Sequence, residues 1–538
     1  MATLPEALAT RRCDLIARLE EPCHYDLIVV GGGATGLGVA LDAAVRGLRV
    51  VLIESHDFSK GTSSRSTKLV HGGVRYLAQG NIGLVREALH ERTLLLKNAP
   101  HLAQPLPFIM PAYKWWEAPF YGAGLKMYDA LAGSAGLGRT EFLSRSETVA
   151  QLPMVQPAAL KGGVKYWDGQ FNDARLALAL ARTAALHGAL LVNYCRATAL
   201  NHDNGRVVGV ACQDQLSGQA LQLKGDCVIN ATGVWVDALR RQDGAATSGA
   251  AATETQAMVA PSQGVHMVVD RAFLGGSAAL MVPRTADGRV LFAVPWLGKV
   301  ILGTTDTPRH DLAREPEAFE EEIEFILGES ARYLRQAPTR KDVKSIWVGL
   351  RPLVKPPDDE GDNTKGLSRE HTILVSRSGL VTVTGGKWTT YRAMAEDVLA
   401  LCAKHQLIRE TMQGQTNHLG LVGSDRGRFE VKALHEPEGL HSYGSEQALV
   451  LDMPGAEHWL CDGLSEAMVR FAARHEYAIK LEDVLARRSR LLFLDAKLAS
   501  RLAAEVAGIL ADETGQDPAQ EEFAGLCQHY LLKDEESP

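Results

Sequence analysis

Gly31-Gly32-Gly33-Ala34-Thr35-Gly36 sets glycines in GxGxxG spacing at Gly31, Gly33 and Gly36, the pattern of a backbone turn that holds a pyrophosphate. Gly31 permits the tight turn, Gly33 lets phosphates approach the backbone, and Gly36 lets the next helix pack closely. Ala34 and Thr35 supply N–H groups at the helix start, where the dipole favours anions. Glu54 stands where a carboxylate accepts hydrogen bonds from an adenosine ribose. In Thr62-Ser63-Ser64-Arg65-Ser66-Thr67-Lys68, Ser63, Ser64 and Lys68 are candidate cofactor or phosphate contacts, because hydroxyls and backbone N–H groups in such a loop suit an anion. His71, beside Gly72-Gly73, is read as packing against the cofactor. Arg351 follows the apolar run Ile346-Trp347-Val348-Gly349-Leu350 and precedes Pro352, which puts a cation at a strand end. His266 lies within the apolar strand Gly264 to Val269, where a core histidine bonded to a backbone carbonyl is the plain reading. Taken singly, each cation reads as an ion-pair partner at the surface.

The elements that position these residues are legible. Leu27-Ile28-Val29-Val30 is a strand buried on both faces, a helix runs from Thr35 to Arg46, Gly47 ends it, and Val50-Val51-Leu52-Ile53 is the second strand. The chain therefore binds a dinucleotide. It then returns to the nucleotide fold twice. Asp226 to Gly233 is a buried strand ending in Ala231-Thr232-Gly233, preceded by short strands broken at Asp203-Asn204-Gly205 and Ser217-Gly218. Leu380 to Gly386 is a strand and glycine turn opening a helix near Trp388, and Gly385, Gly386, Lys387 and Thr389 could hold a flavin ring. This discontinuous layout resembles the FAD-dependent oxidoreductases of the D-amino-acid-oxidase superfamily, an α/β class with a Rossmann-like FAD-binding domain and an interleaved mixed β substrate domain.

A closer resemblance is carried by Thr62 to Leu77, by Trp347-Val348-Gly349-Leu350-Arg351-Pro352-Leu353, and by Gly385-Gly386-Lys387-Trp388-Thr389-Thr390-Tyr391-Arg392. With Glu482 to Arg488, these motifs are similar to those of the FAD-dependent, aerobic glycerol-3-phosphate dehydrogenases. Residues 1–24 precede the usual start of the first strand, and Arg65 is bulkier than the small residue expected in its loop. The resemblance implies FAD as cofactor, glycerol 3-phosphate as substrate, a membrane quinone such as ubiquinone as acceptor, and room for a homodimer. It places Arg75, Tyr76, His266, Arg351, Arg369 and Lys387 around the substrate. Oxidising an alcohol requires loss of its hydroxyl proton as hydride leaves carbon, so His266 is the expected base, with Arg351 and Lys387 stabilising an alkoxide. Other readings are an oxidase using oxygen, an amine or amino-acid oxidase of the superfamily, and a non-catalytic flavin-binding scaffold.

At 538 residues, 46% hydrophobic and 22% charged, the chain suits two or three globular domains. Its net charge of −7 gives no reason to expect a nucleic-acid partner. Eight scattered cysteines without a CxxC pair argue against a disulfide framework or a metal site and suit a reducing compartment. With no secretory-type apolar run in 1–24 and no stretch near the ~18 apolar residues that span a bilayer, the expected location is cytoplasmic. The expected organisation is a leader at 1–24 read as a docked or frayed helix, an oxidoreductase region at 25–404 and a helical C-terminal domain at 405–538. FAD-binding segments are expected at about 25–77, 161–239 and 378–401, and a substrate part at about 258–376. Gly244 to Thr255 reads as a surface insertion, Pro356 to Lys365 as a loop near the substrate, Glu315 to Leu334 as a surface helix, and Ser465 to Arg490 and Asp495 to Glu513 as amphipathic helices. Trp115, Trp116, Phe120 and Tyr121 with Lys114 and Lys126 fit two readings equally, a peripheral membrane contact on the inner face of the cytoplasmic membrane or an aromatic cluster buried between domains.

Overall fold

A computed structural model describes residues 8–74, 77, 80–248, 256–285, 288–355 and 371–533. Two sheets dominate it. The nucleotide sheet runs in the order His371–Val375, Val381–Gly385, Ala220–Asn230, His24–Val30, Val50–Ile53, Leu190–Val192, with the hairpin Cys195–Asp203 and Arg206–Asp214 joined to Ala220–Asn230. Its centre is parallel and buried on both faces, which is why Leu27 to Val30 show no apolar–polar alternation. The helix after the first strand spans Ala34–Val45 and packs beside Asp173–Leu186 and Tyr391–Lys404. Gly36 is required by that packing: a Cβ there would stand 1.9 Å from the Gly31 carbonyl oxygen.

The second sheet has ten strands, ordered Thr307–Pro308, Val259–Asp270, Lys299–Gly303, Leu291–Trp296, Ala279–Val282, Ala103–Ala112, Gly162–Phe171, Leu69–Val70, with Ser345–Val354 on Val259–Asp270 and Glu141–Ser144 on Gly162–Phe171. Three expected boundaries move. The segment 161–239 begins in this second sheet, because Gly162–Phe171 pairs along its whole length with Ala103–Ala112; the chain re-enters the nucleotide fold only at the helix capped by Asn172. Leu69–Val70, inside the segment 25–77, likewise pairs with Gly162–Phe171. His371–Val375, expected in the substrate part, is instead the antiparallel edge of the nucleotide sheet, since the tight turn through Gly379 (φ +89°) folds it back onto Val381–Gly385.

Ala103–Ala112 carries three prolines, which hide it from a strand reading. Pro105, Pro107 and Pro111 share one parity, and the neighbour Ala279–Val282 pairs only at Phe108 and Ile109, so no proline interrupts that short ladder.

The C-terminal region is helical, as expected, with helices Glu466–His475, Ala496–Thr514 and Gln520–His529. Ser465 to Arg490 is not one helix. The Asp483 carboxylate accepts the Ile479 and Lys480 N–H groups at 2.8 and 2.9 Å, Tyr477 turns to φ +60°, and a π-helical turn follows at Asp483–Arg488. That turn carries Arg487 and Arg488 onto the fully buried Asp57 of the nucleotide domain, Arg488 Nη2 donating to Asp57 Oδ1 at 3.0 Å.

Candidate functional site

A cavity of about 670 Å³ lies between the two sheets, and chain segments far apart in sequence meet in its wall. Gly33, Ala34 and Thr35 line one side, at the start of the Ala34–Val45 helix. The Ala34 N–H donates to Ser63 Oγ at 2.9 Å, and the Trp388 indole donates to the Ser63 carbonyl at 2.7 Å, so Ser63 couples the first glycine turn to the last. Ala231, Gly233, Gly385, Gly386, Lys387 and Thr389 line the adjoining wall. Gly233, Gly385 and Gly386 have φ of +63°, +80° and +70°, conformations that bring bare backbone to the cavity. His71 and Gly73 also face it, and the His71 N–H donates to Thr389 Oγ1 at 3.2 Å.

This cradle fits a flavin dinucleotide. A Cβ on Gly33 would meet only Ser63 Oγ, at 3.1 Å, so the space there is open on the cavity side. Glu54 does not line the cavity but stands at the end of Val50–Ile53, where its carboxylate accepts the Gly32 N–H at 2.7 Å and the His56 N–H at 2.9 Å. Gly31 and Gly36 are spent on the turn and its helix packing, and the Gly72 N–H donates to Tyr128 Oη at 2.9 Å.

Two candidates turn away from the cavity. Lys68, taken above as a cofactor or phosphate contact, is fully buried: Nζ lies 2.7 Å from Asp173 Oδ2 and donates to the Ser64 carbonyl at 2.7 Å, among the rings of Trp296, Trp347 and Phe493. Lys68 adopts φ +64°, turning its side chain into the protein, and burial pulls its pKa down to about 7 against the pull of Asp173. Ser64 is buried with it. Arg65, too large for the expected pattern, is accommodated by Glu315, to which Nη2 donates at 2.6 Å, and by the Val348 carbonyl.

The opposite wall comes from the second sheet. His266 and Arg351 sit on adjacent antiparallel strands, with His266 paired to Trp347 and Arg351 to Ser262. The His266 ring lies flat on Trp347, with centroids 5.3 Å apart and planes at 14°, and is closed in on the other side by Gly303, where a Cβ would come within 2.7 Å. Its Nε2 is 2.9 Å from Thr67 Oγ1. Burial, then the charges of Lys68 and Arg351, push its pKa well below the usual histidine value, so the ring is neutral near pH 7. The Arg351 guanidinium donates to the Gln263 and Thr305 carbonyls at 3.1 and 2.9 Å and lies 3.3 Å from Asp306 Oδ1. Gly264 makes room for it: a Cβ there would stand 2.3 Å from Arg351 Nη2.

His266, Arg351 and Lys387 thus share one cavity with the glycine turns. Arg75, Tyr76 and Arg369 lie outside the described residues. Thr67, Thr304, Thr305 and Asp306 line the site and were missed. Thr67 stood in a motif already singled out; Thr304 to Asp306 follow a strand with no motif to mark them.

A model of the FAD dependent oxidoreductase family matches residues 26–392, and a model of the C-terminal domain of alpha-glycerophosphate oxidase matches residues 414–521. The chain is 40% identical to the mitochondrial glycerol-3-phosphate dehydrogenase of Homo sapiens over 93% of its length and 72% of the relative's. It is 38% identical to the mitochondrial glycerol-3-phosphate dehydrogenase SDP6 of Arabidopsis thaliana, over 97% and 87%. Among solved structures, the glycerol-3-phosphate dehydrogenase of Bacillus halodurans complexed with FAD superposes with a TM-score of 0.74 at 28% identity, covering 98% of this chain and 100% of that one.

Proposed function

The chain belongs to the FAD-dependent oxidoreductases, within them to the glycerol-3-phosphate dehydrogenases, and from that premise we propose that it oxidises sn-glycerol 3-phosphate to dihydroxyacetone phosphate and passes the electrons to a membrane quinone. Its cofactor is FAD, which when bound supplies the hydride acceptor. The observation that carries the reading is the convergence of His266, Arg351 and Lys387 on the cavity that holds the glycine turns.

The substrate brings a phosphate dianion and a secondary alcohol. Arg351, already oriented by two carbonyls, presents a planar fork suited to two oxygens, and Lys387 adds a cation beside the flavin-facing turn. A neutral His266 takes up the hydroxyl proton, and the cations steady the oxygen as negative charge grows on it.

The acceptor reading rests on the molecular surface. Trp115 and Phe120 are 83% and 67% exposed, and Trp116, Met127 and Phe142 are exposed with them, while Tyr121 is half-buried. The rings are therefore not a cluster buried between domains. Lys114 Nζ lies 5.8 Å from the Trp116 ring and Lys126 Nζ 5.0 Å from that of Phe142, a mixture suited to lipid headgroups. No helix among the described residues is long and apolar enough to cross a membrane. As part of the same proposal, the protein is cytoplasmic and docks by this patch on the inner face of the membrane.

The test is anaerobic mixing of the purified yellow protein with glycerol 3-phosphate. Flavin absorbance should bleach with glycerol 3-phosphate and not with glycerol, and reoxidation should be faster with a quinone analogue than with oxygen. Bleaching by an amino acid instead would remove the substrate assignment, and fast oxygen turnover without quinone turnover would make the protein an oxidase.

A further inference from the structure

His266 is nearly sealed from the cavity it serves. The residue is 2% exposed, Trp347 and Gly303 close its two faces, and Nδ1 is buried without a hydrogen-bond partner. The ring's one hydrogen bond among the described residues joins Nε2 and Thr67 Oγ1, 2.9 Å apart, and Thr67 itself lines the cavity. A threonine hydroxyl both donates and accepts, and its proton rotates to suit.

We propose that Thr67 relays the proton between the substrate hydroxyl and His266. The inference rests on the oxidation proposed above. With Nδ1 carrying the ring N–H, the Nε2 lone pair accepts the Thr67 hydroxyl proton, and Thr67 Oγ in the same event takes the proton from the substrate's O–H. Thr67 is a hydroxyl before and after, His266 ends as imidazolium, and the substrate carbon gives its hydride to the flavin as C–O becomes C=O. Thr67 is then a catalytic residue, and His266 a base that works through it. Lys68, the next residue, is locked by Asp173, which fixes the backbone that holds Thr67 against the ring.

The experiment is stopped-flow flavin reduction of the FAD-loaded enzyme under anaerobic conditions, at saturating substrate. Thr67→Val keeps the side-chain shape and removes only the hydroxyl. It should slow reduction by ~10²-fold or more, into the range of His266→Asn, with FAD retained. Thr67→Ser should restore the rate to within about 10-fold of wild type, since the group that matters is the hydroxyl. The double variant Thr67→Val/His266→Asn should be no slower than His266→Asn alone, an outcome that a packing role for Thr67 would not give. The ¹⁵N shifts of selectively labelled histidine in the holoenzyme should show His266 protonated at Nδ1. A Thr67→Val enzyme reducing at the wild-type rate while His266→Asn is slow would overturn the relay and leave His266 as a direct base. Wild-type rates in both variants would overturn the base assignment itself.

Discussion

At the scale of single residues, the site is a set of side chains whose ordinary chemistry is bent by their surroundings. Burial and two nearby cations hold His266 well below its usual pKa. A depressed pKa keeps the basic, neutral form populated down to lower pH, so the acid limb of flavin reduction should fall below pH ~6.5, the value of a free histidine. Reduction rates at saturating substrate, followed from pH 5 to 8, would show it; an inflection near pH 6.5 would mean the ring is not the buried one described. Replacing His266 with Asn should slow reduction by ~10²–10⁴-fold with FAD still bound. Arg351→Ala removes charge-assisted hydrogen bonds that contribute on the order of 1.5–3 kcal/mol each, so kcat/KM for glycerol 3-phosphate should fall at least ~10-fold. Equal turnover of glycerol by wild type would argue against any phosphate clamp. The sequence made Arg351 legible, because an apolar strand and a proline bracket it. It misled at Lys68, because a charged residue in a polar loop gives no sign that φ +64° will turn it inward onto Asp173.

At the scale of elements, what periodicity and glycine spacing announce is what the fold contains. The helix after the glycine turn stands within a residue of its expected limits and the second strand matches them, while the first strand starts three residues earlier, at His24. Legibility failed where a local device overrides the pattern, as when Asp483 caps a new turn inside an amphipathic run or prolines of one parity sit harmlessly in a strand. The glycine turn separates two kinds of glycine. Gly33→Val should fold and lose FAD, because its Cβ direction is blocked by nothing but Ser63 Oγ and leads into the cavity, whereas Gly36→Val should fail to fold, its Cβ lying 1.9 Å from the Gly31 oxygen. Flavin content of the soluble fraction and far-ultraviolet circular dichroism distinguish the two. The helix Glu117–Ala132 begins in the exposed aromatic patch. Changing Trp115, Trp116 and Phe120 to serine should weaken binding to anionic liposomes and slow quinone reduction, while anaerobic flavin reduction is unchanged; unaltered liposome binding in that variant would remove the membrane-contact reading.

At the scale of the whole molecule, buried charges weld the helical C-terminal region to the nucleotide domain. Asp57 meets Arg487 and Arg488, and Arg175 meets Glu476. Glu438 lies in the same seam, touched by Asn172 at 3.3 Å, and burial raises its pKa to about 8 against the pull of Arg175 and Arg490. A raised acid pKa means that the folded state binds more protons than the unfolded one between about pH 4.5 and 8, so its contribution to stability is lost as pH rises through that window. Thermal unfolding should show Tm declining over this range for wild type and declining less for Glu438→Gln, which keeps the shape without the charge. An identical slope in the two proteins would place Glu438 in contact with water. Such pairings across the chain are invisible in sequence, because nothing local ties Asp57 to Arg488. The bridge through Ser63, which joins the first glycine turn to Trp388, has a consequence for biosynthesis. The ribosome delivers the pyrophosphate turn early, but the strand Val381–Gly385 and the turn beyond it emerge only after the whole second sheet has been made. Cofactor loading must therefore wait for late synthesis, and a nascent chain halted before Leu380 would display its most recognisable motif and still be unable to keep a flavin.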